Sequence, residues 1–307
     1  MTHDMGTAAA GDHTHKLLSA IIEGWPQHEK HLQRFFSTLT AEDAANIDVV
    51  AKSILKLSDN ELSEFVTDYR WMCGMFMKHE IAFRRSMTLS NTDTAAIRDA
   101  YYDNADAMGR YMRGLLISQI TWPQHLGVQF LFAREFMPRL PSGFSYMEVG
   151  PGHGVTLAVA GADPKCGRLS GCDISQTSID MTRQSMVRLG VTRPVDLIHA
   201  DICAATDNGN RFDAILISQV LELVESPQSA IENLAIQLAP QGQIFVNCPV
   251  QMLAPDHIRV WRSGADIVSL VEAAGLTVEF EAKVHADASE KSENLGYSHV
   301  LIARKPG

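Results

Sequence analysis

Residues 145–161, which read SYMEVGPGHGVTLAVAG, combine a strand-like apolar run, one acidic residue and three alternating glycines. Such a stretch can hold a nucleotide, because a glycine backbone turns tightly and approaches a ligand closely. Gly150, Gly152 and Gly154 are spaced G-x-G-x-G, whereas the dinucleotide fingerprint needs G-x-G-x-x-G, and no Gly-Lys-Ser/Thr follows as in a P-loop. Glu148, two positions before the first glycine, would repel a pyrophosphate and suits a cationic ligand.

The elements that would position this stretch alternate between short β-branched runs and helical segments after Pro138. This alternation favours right-handed crossover units and a mostly parallel sheet. The last two predicted strands are joined by ADASEKSENLG, which has no helical pattern, so they should form an antiparallel hairpin at the sheet edge. The predicted strands are residues 144–149, 168–173, 195–200, 212–218, 242–248, 277–284 and 297–303.

The ordered motifs of this region resemble those of the class I S-adenosylmethionine-dependent methyltransferases. EVGPGHG is similar to the family's acidic-x-Gly-x-Gly-x-Gly loop, and SGCDIS, IHADIC and FDAILISQVLELVESP follow in the family's order between Phe144 and Lys305. The resemblance implies that Asp173 accepts hydrogen bonds from ribose hydroxyls and that Asp201 and Ile202 meet the adenine of S-adenosyl-L-methionine. The cofactor-binding residues it implies are Glu148, Gly150, Pro151, Gly152, His153, Gly154, Asp173, Ile174, Asp201, Ile202, Ser218 and Gln219.

The fold class expected from these patterns is α/β. Over residues 141–307 we expect the S-adenosylmethionine-binding domain, with a mostly parallel seven-stranded Rossmann-like sheet, helices on both faces and a C-terminal antiparallel hairpin. Residues 16–140 have apolar residues at helical spacing and few prolines, which predicts an all-helical N-terminal domain whose helices begin at caps such as Thr40 and Ser58. Residues 1–15 are rich in Gly, Ala and Thr and predict a disordered leader.

The helical domain is predicted to form a lid and part of the substrate site. In the resembling family, a helical extension at this place packs over the cofactor and closes the substrate pocket. The segment SQITWPQHLGVQFLFAREFMP directly precedes the first strand, and Tyr111, Trp122 and His125 are the predicted lid residues. Each could instead serve packing between the two domains. A largely apolar lid would exclude water and favour a small or medium organic acceptor.

The loop after the fourth predicted strand departs from familiar subfamilies. It reads SQVLELV where many small-molecule methyltransferases have a run similar to EVLEHV, so Gln219 replaces a glutamate and Leu223 replaces a histidine. A catalytic histidine is therefore not available at this position. The strand also lacks the Asn/Asp-Pro-Pro-aromatic motif of enzymes that methylate nucleobase or glutamine amines, which disfavours those substrates.

Catalytic candidates come instead from the loop after the fifth strand and from the lid. The loop reads VNCPVQMLAPDHIRVWRS and lies at the carboxyl edge of the sheet, where ligands bind in open α/β folds. Asp256 and His257 are its candidate general base or substrate anchor, and His125 and Tyr111 are the candidates in the lid. The alternative is that Asp256 caps the following helix and His257 lies on the surface.

Composition and charge restrict the partners. The net charge is −10 and no dense basic patch occurs, so the chain should not bind nucleic acid. No signal sequence or membrane-length apolar window is present, and the cysteines form no CxxC motif, so a cytoplasmic protein that binds no membrane and no metal is expected. A small-molecule substrate is the expected partner, and the N-terminal helices are a candidate surface for a homodimer.

Three functions remain open at this point. The first is S-adenosylmethionine-dependent methylation of an oxygen, nitrogen or carbon of a small metabolite, including those of secondary metabolism. The second uses the same cofactor for aminocarboxypropyl transfer, or for an intramolecular cyclisation that releases methylthioadenosine. The third is a non-catalytic S-adenosylmethionine-binding module whose helices recruit a partner. Fold alone does not distinguish among them.

Overall fold

The computed structural model describes residues 11–86, 89, 97, 102, 104–204, 209–285 and 296–307. The described chain begins with helices and continues into a single sheet. None of the described helices combines the length and the apolar character needed to cross a membrane. The N-terminal helices are α1 (Asp12–Gly24), α2 (Glu29–Phe36), α3 (Ala41–Ser58), α4 (Leu62–Ser86), α5 (Ala105–Thr121) and α6 (Pro123–Leu131).

The start of α3 follows the sequence prediction, and the predicted cap at Ser58 is wrong. Thr40 accepts a hydrogen bond from the Asp43 backbone N–H at 3.1 Å, and the Asp43 carboxylate accepts from the Thr40 backbone, which forms a reciprocal cap. Ser58 is instead the last residue of α3, where it is fully buried and its hydroxyl donates to the Leu55 carbonyl. The short turn that follows, Asp59–Glu61, receives no side-chain cap hydrogen bond from Ser58, and α4 begins only at Leu62.

Part of the predicted disordered leader is ordered, which corrects that prediction for residues 12–15. The carboxylate of Asp48, on α3, accepts hydrogen bonds from the backbone N–H of Thr14 at 2.9 Å and from its hydroxyl at 3.0 Å. Nδ1 of His13 lies 2.8 Å from the other Asp48 oxygen. These long-range contacts hold the first turn of α1 against α3, which composition alone could not indicate. Residues 1–10 lie outside the described residues.

A buried ion pair fixes α5 against α4. Asp68 of α4 has a buried carboxylate that accepts from Nε of Arg110 at 2.8 Å and from Nε of Arg113 at 2.7 Å. These two charge-assisted hydrogen bonds join α4 to α5 at a single carboxylate. Around this pair, Leu17, Ile54 and other apolar side chains of α1, α3, α4 and α5 form one continuous core.

The sheet has the predicted seven strands in the order β3-β2-β1-β4-β5-β7-β6. The first five strands along the chain pair in parallel, while β7 lies antiparallel between β5 and β6, so the predicted hairpin and the predicted fold class are confirmed. The predicted loop within residues 286–295 lies outside the described residues. The strands are β1 (Phe144–Val149), β2 (Cys166–Asp173), β3 (Val195–His199), β4 (Phe212–Ser218), β5 (Leu238–Val250), β6 (Thr277–His285) and β7 (Tyr297–Arg304).

Alternating side chains of the strands bury two apolar layers, one on each face of the sheet. Met147 and Val149 of β1 pack into the layer that contains residues 227–237 and 264–273, whereas Phe144 and Tyr146 pack into the layer beneath residues 123–131, 155–162 and 176–189. This alternation follows from the two-residue period of a strand. The helices that cover the sheet are α7 (Val155–Ala162), α8 (Gln176–Leu189), α9 (Pro227–Gln237) and α10 (Gly264–Ala273).

The N-terminal helices rest directly on the sheet. Two consecutive short turns, Phe132–Phe136 and Met137–Arg139, carry the chain from α6 into β1. The rings of Phe132 and Phe136 lie 5.9 and 5.6 Å from the ring of Phe245 in β5. Because β1 pairs with β2 on one side and β4 on the other, the strand order reverses at β1, which is where open α/β sheets form a ligand crevice.

Candidate functional site

A cavity of about 910 Å³ lies between the carboxyl ends of the parallel strands and helices α4, α5 and α6. Ligand pockets range from about 300 to 1,000 Å³, so this cavity is large enough for more than one small ligand. All the residues predicted from sequence to bind the cofactor line it except Gly154, and all the predicted catalytic residues line it too. The loop after β5 brings Asp256 and His257 to the cavity, and the helical region brings Tyr111 and His125.

The glycine turn after β1 adopts the backbone that its sequence requires. Gly150, Gly152 and Gly154 have φ angles of +67°, +49° and +74°, which side-chain-bearing residues rarely adopt. An added Cβ at Gly154 would lie 2.7 Å from Cε of Met186, and one at Gly152 would lie 3.2 Å from Sδ of Met112 in α5. Met186 and Met112 therefore pack against the turn from two sides. Gly154 does not line the cavity and is the residue directly before α7.

Asp173, the last residue of β2, is held in one orientation by the start of α8. One carboxylate oxygen accepts from the backbone N–H of Ser175 at 2.8 Å, and the other accepts from the hydroxyl of Ser178 at 2.6 Å. Burial raises the pKa of Asp173 against the lowering effect of these hydrogen bonds. Each oxygen retains a second lone pair, so the carboxylate can still accept hydrogen bonds from a ligand in the cavity.

The other polar ends of the strands are shaped by local hydrogen bonds. Asp201 accepts from the backbone N–H of Cys203 at 2.8 Å and lies beside the buried Ile202. Gln219 has a φ of +56°, and its backbone N–H donates to the Asn247 carbonyl at 2.8 Å, which joins the ends of β4 and β5. Asn247 itself lines the cavity, and sequence analysis missed it because nothing near it resembles a motif.

Glu148 differs from the sequence expectation in its charge. The side chain is buried, the hydroxyl of Tyr146 donates to it at 3.3 Å, and burial raises the pKa of the carboxyl to about 8. At pH 7 and with no cation beside it, Glu148 is therefore mostly a neutral acid, so the repulsion of a pyrophosphate argued from its sequence position does not apply. A positively charged ligand group would lower this pKa and restore the carboxylate.

Asp256 is neither a helix cap nor a surface residue, so the alternative interpretation of this loop is wrong. Only 5% of its surface is exposed, and α10 is capped by Ser263 instead. The Asp256 carboxylate accepts from the hydroxyl of Tyr111 at 3.2 Å and from the hydroxyl of Tyr102 at 3.2 Å. Sequence analysis missed Tyr102, whose backbone carbonyl also accepts from Ser175 at 2.9 Å, next to Asp173.

His257 is buried as deeply as Asp256 and also lines the cavity. Burial lowers the pKa of the imidazole, partly offset by the negative charge of Asp256. Its Nδ1 has no hydrogen-bond partner among the described residues. A neutral imidazole next to a carboxylate is therefore present at pH 7, and such a group can accept a proton.

His125, at the start of α6, is a second neutral imidazole in the cavity. Burial and the nearby His153 lower its pKa to about 3. Its Nδ1 lies 2.8 Å from the hydroxyl of Ser118, which itself donates to the Leu115 carbonyl at 2.7 Å. Because the Ser118 proton is used by that carbonyl, Nδ1 must be the protonated nitrogen and donate, which leaves the Nε2 lone pair of His125 unprotonated.

His153, inside the glycine turn, has the opposite tautomer. Burial lowers its pKa to about 4, and its Nδ1 accepts from the backbone N–H of Val155 at 3.3 Å. The proton of the neutral ring is therefore on Nε2. Trp122 completes this side of the cavity: its Nε1–H donates to the hydroxyl of Tyr69 at 3.1 Å and its ring lies 5.0 Å from that of His125.

Comparison with known proteins agrees with this geometry. Residues 147–246 match a family model described as a methyltransferase domain. The magnesium protoporphyrin IX methyltransferase ChlM of Synechocystis PCC 6803, solved with bound SAM, is similar over 71% of this chain and 100% of its own, with 18% identity and a TM-score of 0.52. The [4+2]-cyclase SpnF is similar over 59% of this chain and 81% of its own, with 18% identity and a TM-score of 0.50. No curated protein sequence gives a significant match.

The polar groups that line the cavity fit S-adenosyl-L-methionine, the ligand of the similar ChlM structure. Carboxyl groups lie at or near the ends of β1, β2 and β3, and the apolar Ile174 and Ile202 and the glycine turn line the same cavity. This set suits a ligand that carries a cation, a ribose and an apolar base. Residues 147–246 thus match a methyltransferase-domain model, and the seven-stranded part of the chain has the fold of the methyltransferase ChlM, whose structures contain SAM or SAH.

Proposed function

We propose that this protein is an enzyme that methylates an oxygen, nitrogen or carbon of a small metabolite with S-adenosyl-L-methionine. One observation carries the proposal: a single cavity joins the strand ends of the methyltransferase domain to Asp256, His257, His125 and Tyr111. A site for binding alone would not need two neutral imidazoles and an oriented carboxylate at the same cavity wall.

In this proposal the cofactor lies over β1, β2 and β3. Asp173 accepts from the ribose hydroxyls, Asp201 and Ile202 meet the adenine, and Glu148 and the glycine turn hold the amino-acid portion. When bound, S-adenosyl-L-methionine supplies an electrophilic methyl group on a positively charged sulfur. Transfer of that group depends mainly on positioning, so the chain's task is to orient the acceptor and remove its proton.

The acceptor lies between the cofactor and the loop after β5. Asp256 is fixed by two phenol donors and can anchor a donor group of the acceptor. His257 and His125 are both neutral at pH 7 because burial lowers their pKa values, so either can accept the acceptor's proton. Of the two, we propose His257 as the base, since it directly follows the anchor Asp256.

The helical region, residues 16–140, acts as a lid and substrate domain in this proposal. Helices α5 and α6 contribute Tyr111, Leu115, His125 and Val128 to the cavity, and most of this surface is apolar. Gln129 of α6 donates to the hydroxyl of Thr156 in α7 at 3.2 Å, which fastens the lid to the methyltransferase domain. Excluding water strengthens charge interactions near the sulfonium.

A second candidate reaction attacks another carbon of the same cofactor. Leu223 lines the cavity where many small-molecule methyltransferases have a histidine, so the usual acid–base group is replaced by an apolar surface. The same fold also occurs in a protein described as a cyclase, so the fold does not by itself require methyl transfer. Intramolecular closure by the cofactor's own amine would release methylthioadenosine without any acceptor.

Product identification distinguishes the candidates. The protein is incubated with S-adenosylmethionine alone and then with an acceptor library, and the nucleoside product is identified by mass spectrometry. S-adenosylhomocysteine that appears only with an acceptor supports methyl transfer. Methylthioadenosine formed from the cofactor alone supports the second reaction, and tight binding without any product supports a non-catalytic module.

A further inference from the structure

The charged residues of the cavity are mostly acidic. Among the described lining residues, Arg84 is the only lysine or arginine, and its Nε lies 2.6 Å from the Glu80 carboxylate. Asp173, Asp201 and Asp256 line the same cavity, and none of them forms an ion pair with a lysine or arginine of the described chain. The field inside the cavity therefore opposes an anionic acceptor and favours a cation.

These three carboxylates divide between the two halves of the cavity. Asp173 follows β2 and Asp201 follows β3, so both lie on the side where the cofactor is proposed to bind. Asp256 lies in the loop after β5, next to Tyr102 and the lid helix α5. Of these three carboxylates, only that of Asp256 lies on the acceptor side.

Asp256 is prepared to bind a donor. Its side chain is 5% exposed, and each oxygen accepts one phenol hydrogen bond at 3.2 Å, one from Tyr102 and one from Tyr111. These hydrogen bonds stabilise the ionised carboxylate, and each oxygen keeps a lone pair for another donor. A buried carboxylate without a cationic partner is costly, so a ligand that brings a positive charge would be favoured here.

Aromatic rings line the same part of the cavity. The ring of Phe76 in α4 lies 6.2 Å from that of Tyr111 and 5.3 Å from that of Trp122, and all three line the cavity. Ring faces attract an ammonium group and also pack against an apolar body. An alcohol or a carboxylate would gain the apolar contact without the attraction to the ring faces.

We propose that the acceptor is an amine on an apolar body, whose ammonium binds Asp256 between Tyr102 and Tyr111 while the body packs on Phe76 and Trp122. This inference rests on the proposed methyl transfer and narrows its acceptor class. The ammonium first gives one proton to the neutral imidazole of His257, the proposed base. The nitrogen lone pair then forms the bond to the methyl carbon as the carbon–sulfur bond breaks and its electron pair goes to sulfur.

The test compares three probes that share one apolar body and differ in charge. The full-length protein is saturated with S-adenosylhomocysteine, and the affinities of 2-phenylethylamine, 2-phenylethanol and 3-phenylpropanoate are measured by calorimetry at pH 7. A charge-assisted hydrogen bond exceeds a neutral one by about 1.4 kcal/mol, so the amine should bind about tenfold tighter than the alcohol and the carboxylate most weakly. An alcohol or carboxylate that binds as tightly as the amine, or an amine that does not bind, would overturn the inference.

A variant of Asp256 tests whether this carboxylate causes the preference for the amine over the alcohol. Asp256→Asn should bring the affinities of amine and alcohol within about twofold of each other, whereas Asp180→Asn, on the exposed side of α8, should leave the preference unchanged. If Asp256→Asn does not fold, the comparison of the three probes with the unaltered protein still decides the matter. Failure to bind S-adenosylhomocysteine would contradict the proposed function itself, whereas normal binding without an amine preference would contradict only the acceptor class.

Discussion

The hydroxyl of Tyr111 donates a 3.2 Å hydrogen bond to Asp256, joining helix α5 to the loop after β5 across 145 residues of sequence. Tyr102 makes the same contact to the second oxygen, so the carboxylate is held from two points of the helical region. The position of this anchor therefore depends on how the helices dock on the sheet, and not on the sheet alone.

Asp173→Ala should weaken binding of S-adenosylmethionine by about 1.5 to 3 kcal/mol, because the ribose would lose a charge-assisted acceptor. Calorimetry measures the affinity directly. Asp180→Ala is the matched control, since Asp180 is an exposed aspartate on the helix that orients Asp173. Equal affinities for the Asp173→Ala variant and the unaltered protein would remove the ribose assignment.

Gly152→Val should fold less stably and lose most of its cofactor affinity. A side chain at φ +49° costs about 1 to 2 kcal/mol, and its Cβ would also approach Met112 of the lid helix at 3.2 Å. Gly190→Ala is the control, because Gly190 has a φ of +80° at the end of α8 and open space around an added Cβ. Thermal unfolding should show lower stability for both variants. Calorimetry should show loss of cofactor binding for Gly152→Val alone.

His257→Ala and Asp256→Ala should lower turnover far more than cofactor affinity, by about 10²-fold or more if His257 is the base. The loop after β5 is proposed to face the acceptor, whereas the nucleoside is proposed to lie over the first three strands. His299→Ala controls for the removal of a buried histidine, since His299 lies in β7 and does not line the cavity. Unchanged steady-state constants in folded variants would show that the loop is structural and would direct attention to His125.

The acidic limb of the rate profile tests the same base independently. Burial lowers the pKa of His257, so the imidazole stays neutral as the pH falls below 6.5 and protonates only at lower pH. Turnover should therefore fall in that lower range, as the base gains its proton, and the fall should be absent in the residual activity of His257→Ala. A limb that persists in the variant would assign it to another group.

Glu222 should make the protein less stable as the pH rises. It is fully buried, and burial raises the pKa of its carboxyl to about 8 against the lowering effect of hydrogen bonding. Between pH 4.5 and 8 the unfolded chain releases this proton while the folded protein retains it, so this group lowers stability by up to ~1.4 kcal/mol per pH unit.

Glu222→Gln removes this titration. Denaturant unfolding from pH 5 to pH 8 should show a smaller loss of stability for Glu222→Gln than for the unaltered protein. Glu272→Gln, on the exposed side of α10, controls for the loss of one negative charge. Parallel stability curves for the unaltered protein and Glu222→Gln would contradict the predicted burial of a neutral acid.

The sheet was predictable because its signals are local. Short apolar runs mark β1, β4 and β5, helical segments follow β1, β2, β4 and β5, and EVGPGHG sets the turn after β1. The capping pair of Thr40 and Asp43 is local too, and it formed as predicted. Ser58 carries the same local signal, but it is buried, and its hydroxyl donates to the Leu55 carbonyl and caps no helix. Local pattern fixes a strand or a cap only where tertiary contacts do not compete.

The polar contacts of the candidate site were not predictable from sequence. Tyr102 and Asp256 are separated by 154 residues, and no spacing rule connects them. The charge of Glu148 depends on burial, which raises its pKa to about 8 and which no motif encodes. Likewise, the tautomer of His125 follows from a hydrogen bond already made by Ser118. Long-range contacts and burial therefore decide the chemistry of a site whose outline the motifs predict.

The place of β7 between β5 and β6 has a consequence for the nascent chain. A ribosome makes β5 and β6 first, but they cannot be joined in the sheet until β7, which pairs with both, has been synthesised. Gly296, which lines the cavity, also arrives only then. The cavity therefore cannot be completed before β7 has been synthesised. Until then, the growing chain has an incomplete site, and the edge of β5 that will pair with β7 is unpaired.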